Sequence, residues 1–191
     1  MDLRLIIGLG NPGERYAMTR HNLGFRVIDE LIGRLDPPSP ILQDEALVYK
    51  VEAADKPLLL IKPMTYMNAS GRAVKGLLDR YGFSPQQMLV IFDDVNLDPG
   101  VLRIRPRGSD GGHNGVRSII ESIGTQDFPR LRIGIGRPED VDLIDYVLGE
   151  ITSQEAEILT MAIKRAADAV LFMLTDGIER AMSRFNGPVM P

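Results

Sequence analysis

The chain has 191 residues, 44% of them apolar, and a formal net charge of −4, enough for one well-packed domain over residues 1–191 and too little for a second full one. It contains no cysteine and only two histidines, which excludes a disulfide framework and a thiolate nucleophile. No stretch approaches the roughly 18 apolar residues of a membrane span, and the first apolar run is too short for a secretory signal. A cytoplasmic protein that does not engage membranes is expected.

In chain order, Leu3 to Leu9 reads as a buried strand that ends in a turn, with Pro12-Gly13 suited to the two central positions of type II. Asn22 can cap a helix in which Leu23, Val27, Leu31 and Leu35 recur every four residues until Pro37-Pro38 stops it. His21 then lies just before a helix N-terminus. Ala46 to Ala53 and Pro57 to Ile61 read as a hairpin around Ala54-Asp55-Lys56. Asn68 precedes a second helix whose stripe is Val74, Leu77, Leu78 and Tyr81, ended by Gly82.

Met88 to Phe92 is a continuous apolar run followed by Asp93 and Asp94, the form of a central strand whose last two side chains point to opposite faces. Leu102 to Arg107 alternates, setting Arg103, Arg105 and Arg107 in a row on one side. A glycine-rich loop carrying His113 and Asn114 leads into a short helix from about Val116 to Ile123, ended by Gly124, and Arg130 to Arg137 is a further strand. Thr152 and Glu155 form a capping box for a long C-terminal helix that Asp176-Gly177 breaks. Strands alternating with helices predict an α/β sandwich, a mixed twisted sheet flanked by helices, with polar loops meeting beyond the strand ends.

Charge is unevenly spread. Val101 to Arg137 holds seven Arg against three acidic residues, so the remainder of the chain carries −8. Glu139 to Glu157 holds seven acidic residues and no basic one. Such a chain can steer a polyanion to one side despite its negative total.

The polar loop residues Asn11, His21, Asn68, Asp93, His113 and Asn114 form a coherent chemical set. A histidine held by a carboxylate can take a proton from water, while carboxamides donate hydrogen bonds to a carbonyl oxygen as it becomes negative. That is the equipment of acyl hydrolysis. With no cysteine and no serine in a G-x-S-x-G elbow, direct attack by water is favoured over a covalent intermediate.

The blocks Gly8-Leu9-Gly10-Asn11-Pro12-Gly13, Tyr16 with Thr19-Arg20-His21-Asn22, Lys62-Pro63 through Gly71, Asp93-Asp94, Gly111 to Gly115 and Arg130 to Arg137 occur in that order. Together they make the chain similar, over almost its whole length, to bacterial peptidyl-tRNA hydrolases. The resemblance implies a single α/β domain, monomeric and needing no metal or other cofactor. Its implied reaction cleaves the ester between a peptide's C-terminus and the 3′-terminal ribose of tRNA, which releases tRNA from stalled or aborted translation. By matching position, His21 would be the general base and Asp93 would orient it. Asn11, Asn68 and Asn114 would hold the peptide and the reacting carbonyl, and Tyr16, Met67 and His113 would line the cleft. Arg103, Arg105 and Arg132 would meet the tRNA phosphates, without a metal in the site. Asp110 departs from the family pattern by setting an acid near that surface.

Three rival readings stand beside it. Gly8, Gly10 and Gly13 fit the dinucleotide fingerprint G-x-G-x-x-G, although the next strand's acids come about twice as far along as the usual roughly 20 residues. His21, Asp93 and His113 could form a metal site, against which stands the long separation of the two histidines in sequence. The same fold could also bind RNA without catalysis.

Overall fold

The apolar run beginning at Met88 becomes strand β5 (Met88–Asp94), in which every residue is buried. In the computed structural model, which describes residues 2–189, β5 lies inside one eight-stranded mixed sheet. The other strands are β1 (Leu5–Gly8), β2 (Ile41–Gln43), β3 (Ala46–Ala53), β4 (Lys56–Pro63), β6 (Val101–Arg105), β7 (Arg130–Gly134) and β8 (Gly187–Pro188). Their order is β2-β3-β4-β1-β5-β7-β6-β8. The central four, β4, β1, β5 and β7, run parallel, and the outer pairs are antiparallel.

Alternate strand residues feed two apolar layers. One holds Ile6, Leu89, Ile91, Leu131 and Ile133 beneath α1 (Leu23–Leu35), α5 (Ser153–Asp176) and α6 (Ile178–Phe185). The other holds Leu5, Ile7, Val90 and Phe92 beneath α2 (Ser70–Tyr81) and α3 (Asn114–Ile123). Both faces of the sheet are therefore covered, as a parallel sheet requires.

The glycines near the N-terminus have a packing role. A Cβ on Gly8 would lie 2.1 Å from the carbonyl oxygen of Gly24, and one on Gly24 would lie 2.4 Å from that of Ile91. Gly10 faces the ring of Phe25 in the same way, at 2.6 Å. The start of α1 thus rests directly on β1 and β5, a contact that any side chain would prevent. No helix N-terminus follows the glycine turn, because α1 begins ten residues after Gly13, beyond two short 3-10 turns at Glu14–Tyr16 and Arg20–Asn22. The dinucleotide fingerprint lacks the strand-turn-helix context that gives it meaning.

Several local expectations change. Gly13 has the positive φ foreseen, 106°, but its ψ of 147° is extended and not that of a type II turn. Asn22 does not cap α1 with its side chain. It spans the Asn11 backbone instead, accepting from Asn11 N at 2.9 Å and donating to Asn11 O at 2.9 Å. β6 ends at Arg105, so Arg107 leaves the row of arginines. The last parallel strand stops at Gly134, three residues short of Arg137. Helix α3 starts two residues early because His113 caps it through its ring, with Nδ1 accepting from Val116 N at 3.3 Å. The acidic stretch contains an unforeseen short helix, α4 (Leu143–Val147), capped by Asp142. The hairpin, the C-terminal glycines of α2 and α3 and the capping box of α5 form as foreseen.

Candidate active site

The carboxyl ends of β1, β5 and β7 open onto one end of the sheet, where doubly wound folds place their sites. Asp93, on β5, points toward the α1 layer and is buried at 2% exposure. Its carboxylate accepts from His21 Nδ1 at 2.9 Å to Oδ1 and 3.0 Å to Oδ2, and from His113 Nε2 at 3.1 Å to Oδ1. One carboxylate therefore serves both histidines of the chain, whose ring centroids are 4.7 Å apart.

The two rings are not equivalent. His113 donates through Nε2 to Asp93 and accepts through Nδ1 from Val116, so both nitrogens are committed and the neutral form is required. Burial pushes its pKa down, and the net shift is downward despite the attraction of Asp93. His21 is also buried, which disfavours its cation, but the charge of Asp93 and the hydrogen bond to it outweigh burial and raise its pKa. Asp93 itself is held well below the usual carboxylate range, burial being overcome by the two histidines. With Nδ1 donating to Asp93, His21 keeps Nε2 as a proton acceptor. The arrangement contains one base and one orienting histidine whose burial and bonding favour its neutral form.

The same three residues are the metal-capable cluster among the described residues, with ligand atoms within 4.8 Å of one another. Their separation in sequence was therefore a poor argument against a metal site. In this geometry each nitrogen is bonded directly to the carboxylate, whose Oδ1 occupies the space between the rings.

His21, Asp93, His113 and Asn114 line one cavity of about 60 Å³, room for a few water molecules. Three of its walls were not anticipated. Asp94 lies beside Asp93, Asp110 and Gly111-Gly112 lie above His113, and Leu143, Ile144 and Val147 of α4 close the far side. Asp110 is an organiser of its loop, its Oδ1 accepting from Gly112 N at 2.6 Å where Gly111 and Gly112 both take positive φ.

The remaining expected residues are distributed around this centre. Asn11 is buried and its Oδ1 accepts from Met67 N at 2.8 Å, which leaves its NH2 group uncommitted among the described residues. It lines a neighbouring groove with Pro12, Phe25 and Lys62. Met67 is buried, and its sulfur would lie 2.5 Å from a Cβ on Gly115. Asn68 is exposed. Tyr16 sits in the 3-10 turn beneath the guanidinium of Arg15, 4.5 Å away, and does not line the cavity.

On the α3 side of the sheet, β6 and β7 pair Arg103 with Arg132 and Arg105 with Arg130. Like charges directly opposite each other destabilise a sheet. Arg132 is answered by Asp94, to which its Nε donates. Arg130, 2% exposed, has only carbonyl oxygens, those of Phe128, Ser109 and Gln126, and its pKa is lowered to about 10 by burial and by Arg132. Arg103 and Arg105 form no ion pair among the described residues, and Arg103 Nε has no partner there. In the sequence Arg130 opens a strand and a family block within the basic stretch, without a role of its own, and its alternation with Arg132 is the available clue.

Known proteins share this architecture. A family model described as peptidyl-tRNA hydrolase matches residues 5–191. A peptidyl-tRNA hydrolase of Aquifex aeolicus (strain VF5) is 48% identical over 187 residues, 97% of each chain. One from Caldicellulosiruptor saccharolyticus is 47% identical over 97% of this chain and 98% of its own. The crystal structure of peptidyl-tRNA hydrolase from Acinetobacter baumannii is similar with a TM-score of 0.91 and 35% identity, over 96% of this chain and 94% of that one. The chain, matched along nearly its full length in both sequence and fold, belongs to the peptidyl-tRNA hydrolase family.

Proposed function

We propose that this protein hydrolyses the ester joining a peptide's C-terminal carboxyl to the 3′-terminal ribose of tRNA, with His21 as general base. The observation that carries the reading is the His21–Asp93 pair, buried, doubly hydrogen-bonded and leaving one ring nitrogen free to accept. Water gives a proton to His21 Nε2 as its oxygen bonds to the ester carbon. Asp93 supports the imidazolium that forms. The NH2 groups of Asn11 and Asn114 are the available donors for the peptide and the carbonyl oxygen as it gains charge. When the tetrahedral intermediate collapses, the ribose oxygen leaves and takes the proton back from Nε2. The products are a free peptide acid and intact tRNA.

Arg103 and Arg105 supply phosphate contacts that read no sequence, which suits an enzyme accepting many tRNAs. Arg132 contributes with part of its charge already met by Asp94. Among the described residues no helix is long and apolar enough to cross a membrane. The proposed setting is a monomer acting on tRNA in the cytoplasm. The test is release of labelled N-acylated amino acid from tRNA, in the presence of a chelator, by wild type and His21→Ala. Loss of at least roughly 100-fold in the variant, with fold retained, is expected from removal of a general base. Wild-type tRNA binding without release would instead indicate an RNA-binding role.

A further inference from the structure

The residue before the base is itself buried. Arg20 is 6% exposed and extends away from the cavity into a cage made by distant parts of the chain. Its Nε and Nη2 donate to the two carboxylate oxygens of Glu155, at 2.9 and 2.7 Å. Its Nη1 donates to Tyr146 O at 3.1 Å, and the guanidinium lies 4.2 Å from the centre of the Tyr146 ring. Tyr146 belongs to α4, and its hydroxyl donates to Ile135 O at 2.6 Å, just beyond β7.

Backbone contacts reinforce the connection. Arg20 N donates to Gly149 O, and Ile151 N donates to Met18 O. A Cβ on Gly149 would lie 2.8 Å from Arg20 Nη1 and 3.1 Å from Tyr146 O, so the α4 exit packs closely against the guanidinium. Glu155 is doubly engaged, since its Oε2 also accepts from Thr152 N and Oγ1 at the start of α5. One guanidinium thereby ties the turn carrying His21 to α4 and to the N-terminus of α5. Nothing in the chemistry of the His21–Asp93 pair requires this.

We propose that Arg20 is a positioning residue for the hydrolysis, fixing α4 across the cavity at a set distance from His21 so that the apolar wall and the base move as one body. The inference rests on the ester-hydrolase reading, because α4 matters to turnover through Leu143, Ile144 and Val147, which face the cavity. Planar two-pronged bonding and stacking are specific to arginine. Lysine at this position would retain charge and lose both.

The test uses the full chain, with Arg20→Lys, which keeps the charge, and Glu155→Gln, which keeps the shape; both are chosen over truncation, which would leave the partner of a buried pair with nothing in its place. Hydrogen exchange is read at Tyr146, Leu148 and Gly149 against the amides of α1 and β5. Steady-state turnover of N-acyl-aminoacyl-tRNA is measured alongside. Both variants should exchange at least tenfold faster at the α4 amides, with α1 and β5 within twofold of wild type. KM should rise at least fivefold while the acid limb of the kcat profile stays in place, since the His21–Asp93 pair is untouched. Unaltered α4 exchange in both variants, an equal rise everywhere, or a loss confined to kcat would overturn the role of Arg20 alone. A wild type that exchanges as described but releases no amino acid would overturn the ester-hydrolase reading and with it this role.

Discussion

Replacing Asp93 by asparagine removes one charge while nearly preserving shape, and the structure specifies what should follow. In the wild type the carboxylate lies 2.9 Å from His21 Nδ1, the two charge centres being about 4 Å apart. At an effective dielectric near 20 this attraction is worth on the order of 4 kcal/mol. It opposes the burial that disfavours the imidazolium, and the net result is a raised pKa for His21. Asparagine abolishes the attraction and leaves burial, so the pKa falls below its ordinary value of about 6.5. Since the base must be neutral to act, wild-type kcat/KM declines as pH falls through the raised pKa. In Asp93→Asn that limb should move to lower pH. The plateau should drop by about 100-fold or more, because the carboxamide NH2 confronts the N–H of His21 in one orientation and those of both histidines in the other, and the imidazolium loses its counter-charge. Stability gives an independent sign. A raised folded-state pKa on His21 stabilises the wild type fully below about pH 6.5, and this contribution is lost as pH rises through the raised value. The assay is the pH profile of N-acyl amino acid release, with thermal unfolding of both proteins at pH 6 and 8. An acid limb that stays in place, with a plateau within fivefold of wild type, would refute the assignment of Asp93.

Arg105→Ala should weaken tRNA binding and reduce the slope of log K against log salt by about one, the signature of a lost phosphate contact; a titration at several salt concentrations reads this directly. Arg132→Ala should reduce the slope by less than Arg105→Ala, because Asp94 already answers part of its charge, and an equal or larger reduction would contradict that pairing. Gly24→Ala should destabilise the fold by about 3 kcal/mol or more in urea unfolding, since the new methyl would meet backbone atoms of both Ile91 and Leu9 at 2.4 Å. Unfolding at the wild-type midpoint would show that α1 can move off the sheet at no cost.

Much of this molecule can be read from its residues. The apolar run at 88–94, the stripe of α1, the glycine stops of α2 and α3 and the capping box of α5 are local patterns, and each forms where its chemistry requires. What sequence could not reveal is which distant groups meet. The two histidines are 92 positions apart, yet their rings nearly touch, because α1 and the His113 loop both converge on the end of β5. Glu155 reads as a helix cap and is one, but its second partner, Arg20, comes from 135 positions away. Asn22 has the residue type of a cap and spends its carboxamide on Asn11 instead, since the same donor and acceptor suit either task. α4 escaped notice because five residues in an acidic stretch carry no measurable period.

The arginine pairs across β6 and β7 have a further consequence. With Arg103 facing Arg132 and Arg105 facing Arg130 across β6 and β7, and Asp94 answering only Arg132, this face of the sheet holds like charges that are not fully compensated. On the proposed reading, a phosphate backbone laid there would gain twice, by attraction and by relieving the repulsion among its hosts. Recognition of this kind asks nothing of the bases.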